Sequence, residues 1–488
     1  MGDIFGIEQN ICRVNNNSNK LPSKTNLSTM KWINSLKLKK VEKLIIILLL
    51  IAFSMQDSFA QSVTDSTKDS KWTSHFQLTM IGQKHSSFPA LYSGKKSLTD
   101  TVEPTAVSLT TTLFIGRKLW KGAAFYLNPE ASGGKGLSFA TGVAGALNGE
   151  TYRVGEVAPQ VFIARAYLQQ HIPLGNTAYE YVADDVNSVT GKVPTSRITF
   201  TAGHFAMSDF FDYSSYAKDP RTQFFNWSVW ANGAWDYPAN TRGYTYGLVA
   251  AFIKPQWALK VSTVAVPRIA NSPEMEYKLG KAHSETFELE HTYSFNKHPG
   301  AFRLLVSNTR SQAPSYKAGI EAVAVQDTFL LNVIEGVEEH KVYEGKKLGL
   351  GLNVEQELNN SIGIFSRLGW NDGKDASWAF TEIDRTANAG ISVKGIAWKR
   401  KDDVLGIVGI INGISQDHRT YLKAGGYGFL IGDGTLNYGT ENIIEAYYNA
   451  HLFDFFWLTF DYQFVNNPGY NKDRGPLHVF GFRGHIEF

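Results

Sequence analysis

Two stretches of this 488-residue sequence concentrate side chains that could hold a polar solute. Residues 209–238 carry Trp227, Trp230, Trp235 and several Tyr and Phe beside Asp209, Asp212, Asp219, Arg221, Asn226 and Asp236. Residues 370–385 pack Asp372, Lys374, Asp375, Trp378, Glu382, Asp384 and Arg385 into one short connection. Aromatic faces beside paired charges and amides suit a sugar. Its C–H faces pack on rings, and its hydroxyls exchange water for carboxylate, amide and guanidinium partners. Structural readings compete at both places. Asp219-Pro220 is the pattern of a helix N-cap followed by Pro at the first helical position, and the second stretch also reads as a solvated turn with surface ion pairs.

Enzymatic chemistry finds little support. Gly413-Ile-Ser415-Gln-Asp417 fails the Gly-x-Ser-x-Gly spacing. Gly133-Gly-Lys135-Gly lacks the Lys-Ser/Thr ending and the helix of a phosphate loop. Glu288 and Glu290 share one strand face with His291 on the other, so they gather no catalytic constellation. No His-Glu-x-x-His occurs and the twelve His are scattered, so no metal or other cofactor is expected. No concentrated basic face calls for nucleic acid.

The elements that must position the two stretches are strands. In Val479 to Phe488, Phe480, Phe482, Ile486 and Phe488 alternate with Arg483, His485 and Glu487. Leu458, Phe460, Tyr462 and Phe464 alternate with Thr459, Asp461 and Gln463, and Ala446, Tyr448 and Ala450 with Glu445, Tyr447 and Asn449. Phe162, Ala164, Ala166 and Leu168 alternate with Arg165, Tyr167 and Gln169, which puts Arg165 on the polar face. The run Tyr126, Asn128, Glu130 lies opposite Phe125 and Leu127. Turn signals such as Asn371-Asp372-Gly373 and Gly432-Asp433-Gly434 separate the runs.

Composition narrows the class. Aromatic residues make up 13% of the chain and charged residues 19%, below the roughly 25% of soluble domains. So aromatic a chain can bury ample apolar surface, which excludes intrinsic disorder. The single Cys12 excludes a disulfide scaffold. A multi-span helical protein is excluded as well, because the one continuous apolar segment, Leu44 to Phe53, is shorter than the ~20 residues a spanning helix needs. That segment belongs to an expected signal peptide over residues 30–60. It has a basic n-region (Lys31, Lys37, Lys39, Lys40, Lys43), an apolar h-region to Met55 and Ser58-Phe59-Ala60 at the cleavage site. Residues 1–29 read as a non-native or disordered extension ahead of a start at Met30. Residues 61–71 read as a short disordered lead, and residues 72–488 as one domain. The first 60 residues hold eight of the 48 basic and four of the 45 acidic side chains, so a chain cleaved after Ala60 carries 40 against 41. Near-zero net charge permits passage of a neutral solute.

Alternating strands could build a soluble sandwich or a transmembrane antiparallel β-barrel. The barrel is favoured by the wholly polar second face, by Tyr, Trp and Phe near strand ends, and by Phe488 on the terminal strand. Lipid demands closure, since an open edge leaves backbone groups unsatisfied. Sixteen strands give about 27 residues per strand and connection, with 14 or 18 also compatible. The aromatic stretch 209–238 is expected to fold into the lumen, because it would be a liability in solvent.

The sequence resembles the carbohydrate-selective porins of the OprB type. The likeness is carried by Asp-Pro-Arg-Thr-Gln-Phe-Phe-Asn-Trp (219–227), Asn-Gly-Ala-Trp-Asp-Tyr-Pro (232–238) and Thr-Arg-Gly-Tyr-Thr (241–245). It continues in Asn-Pro-Glu-Ala-Ser-Gly-Gly-Lys-Gly-Leu-Ser (128–138), residues 367–374, Trp-Ala-Phe-Thr-Glu-Ile-Asp-Arg (378–385) and residues 467–476. It spans roughly residues 72–488, with departures in 175–194 and 308–346. The resemblance implies a 16-stranded barrel in the bacterial outer membrane that passes monosaccharides such as glucose by diffusion, past a charged constriction. Carried over by position, the implied lining is Glu130, Arg165, Asp209, Arg221, Asp236, Arg242, Asp372, Glu382 and Arg385, with Trp227 and Trp378 as aromatic partners. The partners would be permeating sugars, outer-membrane lipid and, during biogenesis, the barrel-assembly machinery. An outer-membrane enzyme and a plugged, energised receptor are the weaker alternatives. A surface lectin or capsule-assembly barrel, holding glycan without passing it, is the stronger one.

Overall fold

A computed structural model describes residues 70–154 and 157–488. The expected extension 1–29, the signal peptide 30–60 and residues 61–69 of the lead lie outside the described residues. Sixteen strands close into one barrel. They are β1 (Trp72–His85), β2 (Ala106–Lys118), β3 (Ala123–Gly134), β4 (Gln160–Pro173), β5 (Arg197–Phe205), β6 (Thr245–Lys254), β7 (Trp257–Val264) and β8 (His283–Phe295). The second half continues with β9 (His298–Ser311), β10 (Gly345–Asn359), β11 (Ile362–Asn371), β12 (Arg385–Gly395), β13 (Arg400–Gly413), β14 (Glu441–Phe453), β15 (Phe456–Asn466) and β16 (Leu477–Glu487). Each strand pairs antiparallel with the next. β16 closes on β1 in the register Gln77↔Glu487 to His85↔Val479, and Phe488 adds two backbone bonds to Phe76.

Two-residue alternation produces the two surfaces. Phe125, Phe200, Leu248, Val261, Phe287, Leu350, Ile444, Phe460 and Phe480 stand outward and exposed, as a lipid-facing band requires. Trp72, Trp120, Trp257, Phe295, Trp398 and Phe453 cluster at the strand ends beside the short turns, the position of an interfacial girdle. Inward positions are polar and buried, among them Glu130, Arg165, Glu288, Arg303, Asn353, Arg367, Glu445 and Arg483.

Connections differ in length by end. Residues 119–122, 255–256, 296–297, 360–361, 396–399 and 454–455 are short turns at one rim. At the other rim the connections are long, and 206–244 runs back through the lumen, where Phe211, Trp227, Trp230, Trp235 and Tyr237 join one buried cluster. One connection at the short-turn rim, 174–196, is also long and forms a hairpin (Tyr179–Val182 with Gly191–Pro194).

Two local expectations are corrected. The helix expected at Asp219-Pro220 is a single turn, with Gln223 N donating to Asp219 O at 2.9 Å. Helix starts instead at Trp227–Trp230, where the Asn226 side chain accepts from Ser228 N. Helices Tyr316–Val325, Thr328–Ile334 and Gln416–Lys423, capped by Ser315, Asp327 and Ser415, occupy connections where the sequence shows no helical period. They are too short to impose a helical period on the sequence. The second correction concerns β4. Its register against β3 shifts at Asn128/Pro129, so Asn128 faces Arg165 but Pro129 faces Ile163. Pro129 has no N–H for the ladder, and a bulge accommodates it. Beyond the bulge the parity reverses. Phe162, expected outside, turns to the lumen beside Tyr244, while Val161 and Ile163 stand exposed.

Candidate functional site

The wall contributes two charges of opposite sign from neighbouring strands. Glu130 on β3 and Arg165 on β4 both point inward, as alternation dictates. The loop 206–244 brings a complementary charge to each. Arg165 donates from Nε to Asp209 Oδ2 and from Nη2 to Oδ1, both at 2.7 Å, the parallel two-bond geometry of the strongest carboxylate pairs. Arg221 donates from Nη2 to Glu130 Oε2 at 2.9 Å and from Nη1 to Thr112 Oγ1 at 2.9 Å and Gln77 Oε1 at 3.0 Å. Its Nε lies 3.4 Å from Glu150. Burial pulls the Arg221 guanidinium down, but Glu150 and Glu130 more than offset this and hold it above its ordinary range. Tyr244 ties the two pairs together. Its hydroxyl donates to Glu130 Oε1 at 3.1 Å, and the Arg165 guanidinium carbon lies 5.3 Å from its ring centroid. Arg242 stands over Phe162 at 4.0 Å, the contact made possible by the bulge.

The inner wall also grips the loop backbone. Glu288 accepts from Asp212 N at 2.6 Å, Glu355 from Ser215 N at 2.7 Å and Glu445 from Asn226 N at 3.2 Å. Arg367 Nε donates to Asp212 Oδ2 at 2.9 Å, and Arg483 Nη1 to Pro220 O at 2.8 Å. A loop threaded through the lumen carries backbone groups that must find partners, and the polar strand face supplies them. Sequence reading gave Glu288, Glu445 and Arg483 a polar face but no such role. Their signal was charge at inward parity.

The remaining residues of interest sit in packing at the long-loop end. Asp236 accepts from Trp378 N, Ala379 N and Phe380 N at 2.8, 2.9 and 2.8 Å, and from Lys347 Nζ at 3.1 Å. One carboxylate thereby joins loops 206–244 and 372–384. Trp378 is 2% exposed and donates from Nε1 to Pro267 O at 2.7 Å. Trp227 is equally buried, its ring centroid 3.6 Å from that of Phe380 and 4.8 Å from that of Trp230. Glu382 accepts from Leu430 N and Ile431 N at 2.8 Å each. Asp372 reaches Leu348 N at 3.5 Å. Arg385 lies 5.0 Å from the Trp370 ring centroid and donates to Asp384 O at 2.7 Å. Thus Glu130, Arg165, Asp209 and Arg221 come together with Arg242 near by, while Trp227, Asp236, Trp378 and Glu382 hold loops to one another, Asp372 reaches a strand amide and Arg385 packs at a strand end.

A cavity of about 610 Å³ opens beside the paired charges, lined by Gln77, Arg165, Asp209, Tyr213, Lys218 and Arg221. Tyr213 is 39% exposed, and sequence reading gave it no role of its own. Lys218 Nζ lies 4.1 Å from its ring centroid. Among the described residues no group of His, Cys, Asp and Glu could hold a metal ion.

Comparison with known proteins agrees with this architecture. The high-pH structure of Pseudomonas putida OprB matches with a TM-score of 0.64 at 15% identity, covering 89% of this chain and 97% of that one. Its low-pH structure matches at 12% identity and TM-score 0.46 over the same shares. The outer-membrane channel DcaP of Acinetobacter baumannii matches at 10% identity and TM-score 0.46, covering 86% of this chain and 97% of that one. At these identities only the first likeness bears on the argument, and it concerns the fold alone. A search of curated proteins finds no match. The family model "Carbohydrate-selective porin, OprB family" matches residues 105–488. The chain therefore belongs to the OprB family of carbohydrate-selective porins.

Proposed function

We propose that this outer-membrane channel passes monosaccharides such as glucose by passive diffusion, through a narrow point bordered by Arg165–Asp209 and Arg221–Glu130. One observation carries the reading: two complementary ion pairs bridge the wall and the inward loop, beside an open polar cavity. The Arg165–Asp209 pair, with Asp209 the more exposed partner, presents donors and acceptors without a dominant sign, and the buried Arg221–Glu130 pair holds the loop behind it. A neutral sugar can trade water for such groups, whereas a bare ion meets no net attraction of one sign. The partly exposed Tyr213, with Lys218 Nζ 4.1 Å from its ring centroid, offers an aromatic surface to the sugar's C–H groups. Passage needs no energy coupling and no catalytic group. Export by a signal peptide cleaved after Ala60 and insertion by the barrel-assembly machinery complete the proposal.

Purified protein in planar bilayers tests it. Stepwise channels whose current falls saturably with added glucose, and less with longer oligosaccharides, are expected. Channels indifferent to every sugar would overturn the constriction chemistry. A correctly folded barrel that never conducts would favour a glycan-holding role instead.

A further inference from the structure

The connection 174–196 breaks the pattern of its rim, where the other turns span two to four residues. It also lies where the sequence departs from the family's motifs. Its two short strands pair from Tyr179↔Pro194 to Val182↔Gly191. Asp185 and Ser188 close the tip, with Asn187 in the left-handed region at φ 55°.

The hairpin turns into the barrel. Asp184 bonds the Thr73 hydroxyl and lies 3.5 Å from His75 Nε2. Asn187 Oδ1 accepts from Asn128 Nδ2 at 2.9 Å. Val189 is buried in one cluster with Tyr126, Tyr167 and Phe205. Thr73, Tyr126 and Asn128 are lumen-facing positions of β1 and β3, so these contacts fix the tip against the inner wall. There, Asp185, Val186 and Asn187 line the same 610 Å³ cavity as Arg165, Asp209 and Arg221. A second hollow of about 390 Å³ lies along Val182, Lys192 and Val193. Asn187 borders both hollows, together with Gln169, Asp209 and Phe210.

We propose that this larger cavity extends the sugar site from the ion pairs toward the short-turn side, with the hairpin tip as its specificity-determining wall. The inference rests on the sugar-channel reading above. The cavity offers an acceptor carboxylate at Asp185, an ammonium at Lys218, an amide at Gln169 and the ring of Tyr213. That set matches the hydroxyls and C–H face of a neutral pyranose. Its volume lies within the usual range of small-molecule sites. It admits a monosaccharide or a linear disaccharide with water, and the hairpin bars branched glycans.

Single-channel current with sugar added to one side at a time tests this. Variants are Asp185→Ala with Lys218→Ala, and replacement of residues 179–194 by a short Gly/Ser turn. In the double variant, block by glucose from the short-turn side should weaken about fivefold or more, while block from the opposite side changes little. The hairpin replacement should raise conductance about twofold and admit a branched trisaccharide excluded by the parent. Should the replacement fail to fold, the double variant still decides. A parent blocked by glucose, with side-specific block unchanged in the double variant, overturns the extended site and leaves the channel reading intact. A parent indifferent to every sugar overturns both.

Discussion

Arg221 and Glu130 meet 2.9 Å apart, one from the loop that re-enters the lumen and one from the wall. Their side chains are 6% and 0% exposed. Removing one partner from such a pair leaves the other buried and uncompensated, at a cost of about 3–5 kcal/mol. Arg221→Ala should therefore loosen the loop, read as faster proteolysis of residues 206–244 in the folded barrel. Pairing it with Glu130→Gln should restore much of the protection. A single variant as resistant as the parent would show that the pair does not hold the loop.

Arg165→Ala leaves Asp209 without its fork. The proposed narrow point then gains net negative character, and the reversal potential under a salt gradient should move toward cation selectivity. Glucose block should weaken about tenfold, the size expected for losing a charge-assisted contact.

Tyr213 and Trp227 should behave as opposites. Tyr213→Ala removes an exposed ring and should weaken sugar block with little effect on stability. Trp227→Ala empties a packed position against Phe380 and Trp230 and should cost about 3–5 kcal/mol, measured as a lower unfolding midpoint. Equal effects on both readouts would contradict the separation.

Asp236 is the latch between loops. Asp236→Ala strips partners from the amides of Trp378, Ala379 and Phe380 and leaves Lys347 buried without its counter-charge. Amide hydrogen exchange should rise across residues 372–384 and stay unchanged in the strands.

A pH effect is expected at Asp384. Burial raises its pKa, but the His418 bond and charge, Lys347 and the Ser415 amide outweigh this and hold it below the ordinary value. A depressed folded-state value contributes stability that is full above the unfolded carboxylate range, near pH ~4, and is lost as pH falls through the folded value. Glu382 opposes it, because burial leaves that carboxyl raised and acid relieves its desolvation. Comparison with Asp384→Asn isolates the first effect. The parent should protect residues 372–384 from exchange better than the variant at pH 6, and the gap should shrink toward pH 3. A constant gap would contradict it.

The sequence by itself determined the barrel. Alternation such as Phe480, Phe482 and Ile486 against Arg483, His485 and Glu487 fixes which side chains face lipid, because a strand's period is two and a closed sheet has only two faces. It also put Arg165 and Glu130 inside and marked 209–238 as a lumenal loop. Only the tertiary structure decided which charges meet. The partners of Arg165 and Arg221 come from distant segments, and no local pattern encodes that distance. Nor could alternation survive the bulge at Pro129, which turned Phe162 inward beneath Arg242. Trp227 and Trp378 looked like sugar platforms by type, yet burial, a property of the whole fold, made them packing residues and left Tyr213 open. The hairpin at 174–196 stood out in sequence only as a departure from the family's motifs, because its direction into the barrel depends on contacts with Thr73 and Asn128 that exist only once the sheet has closed.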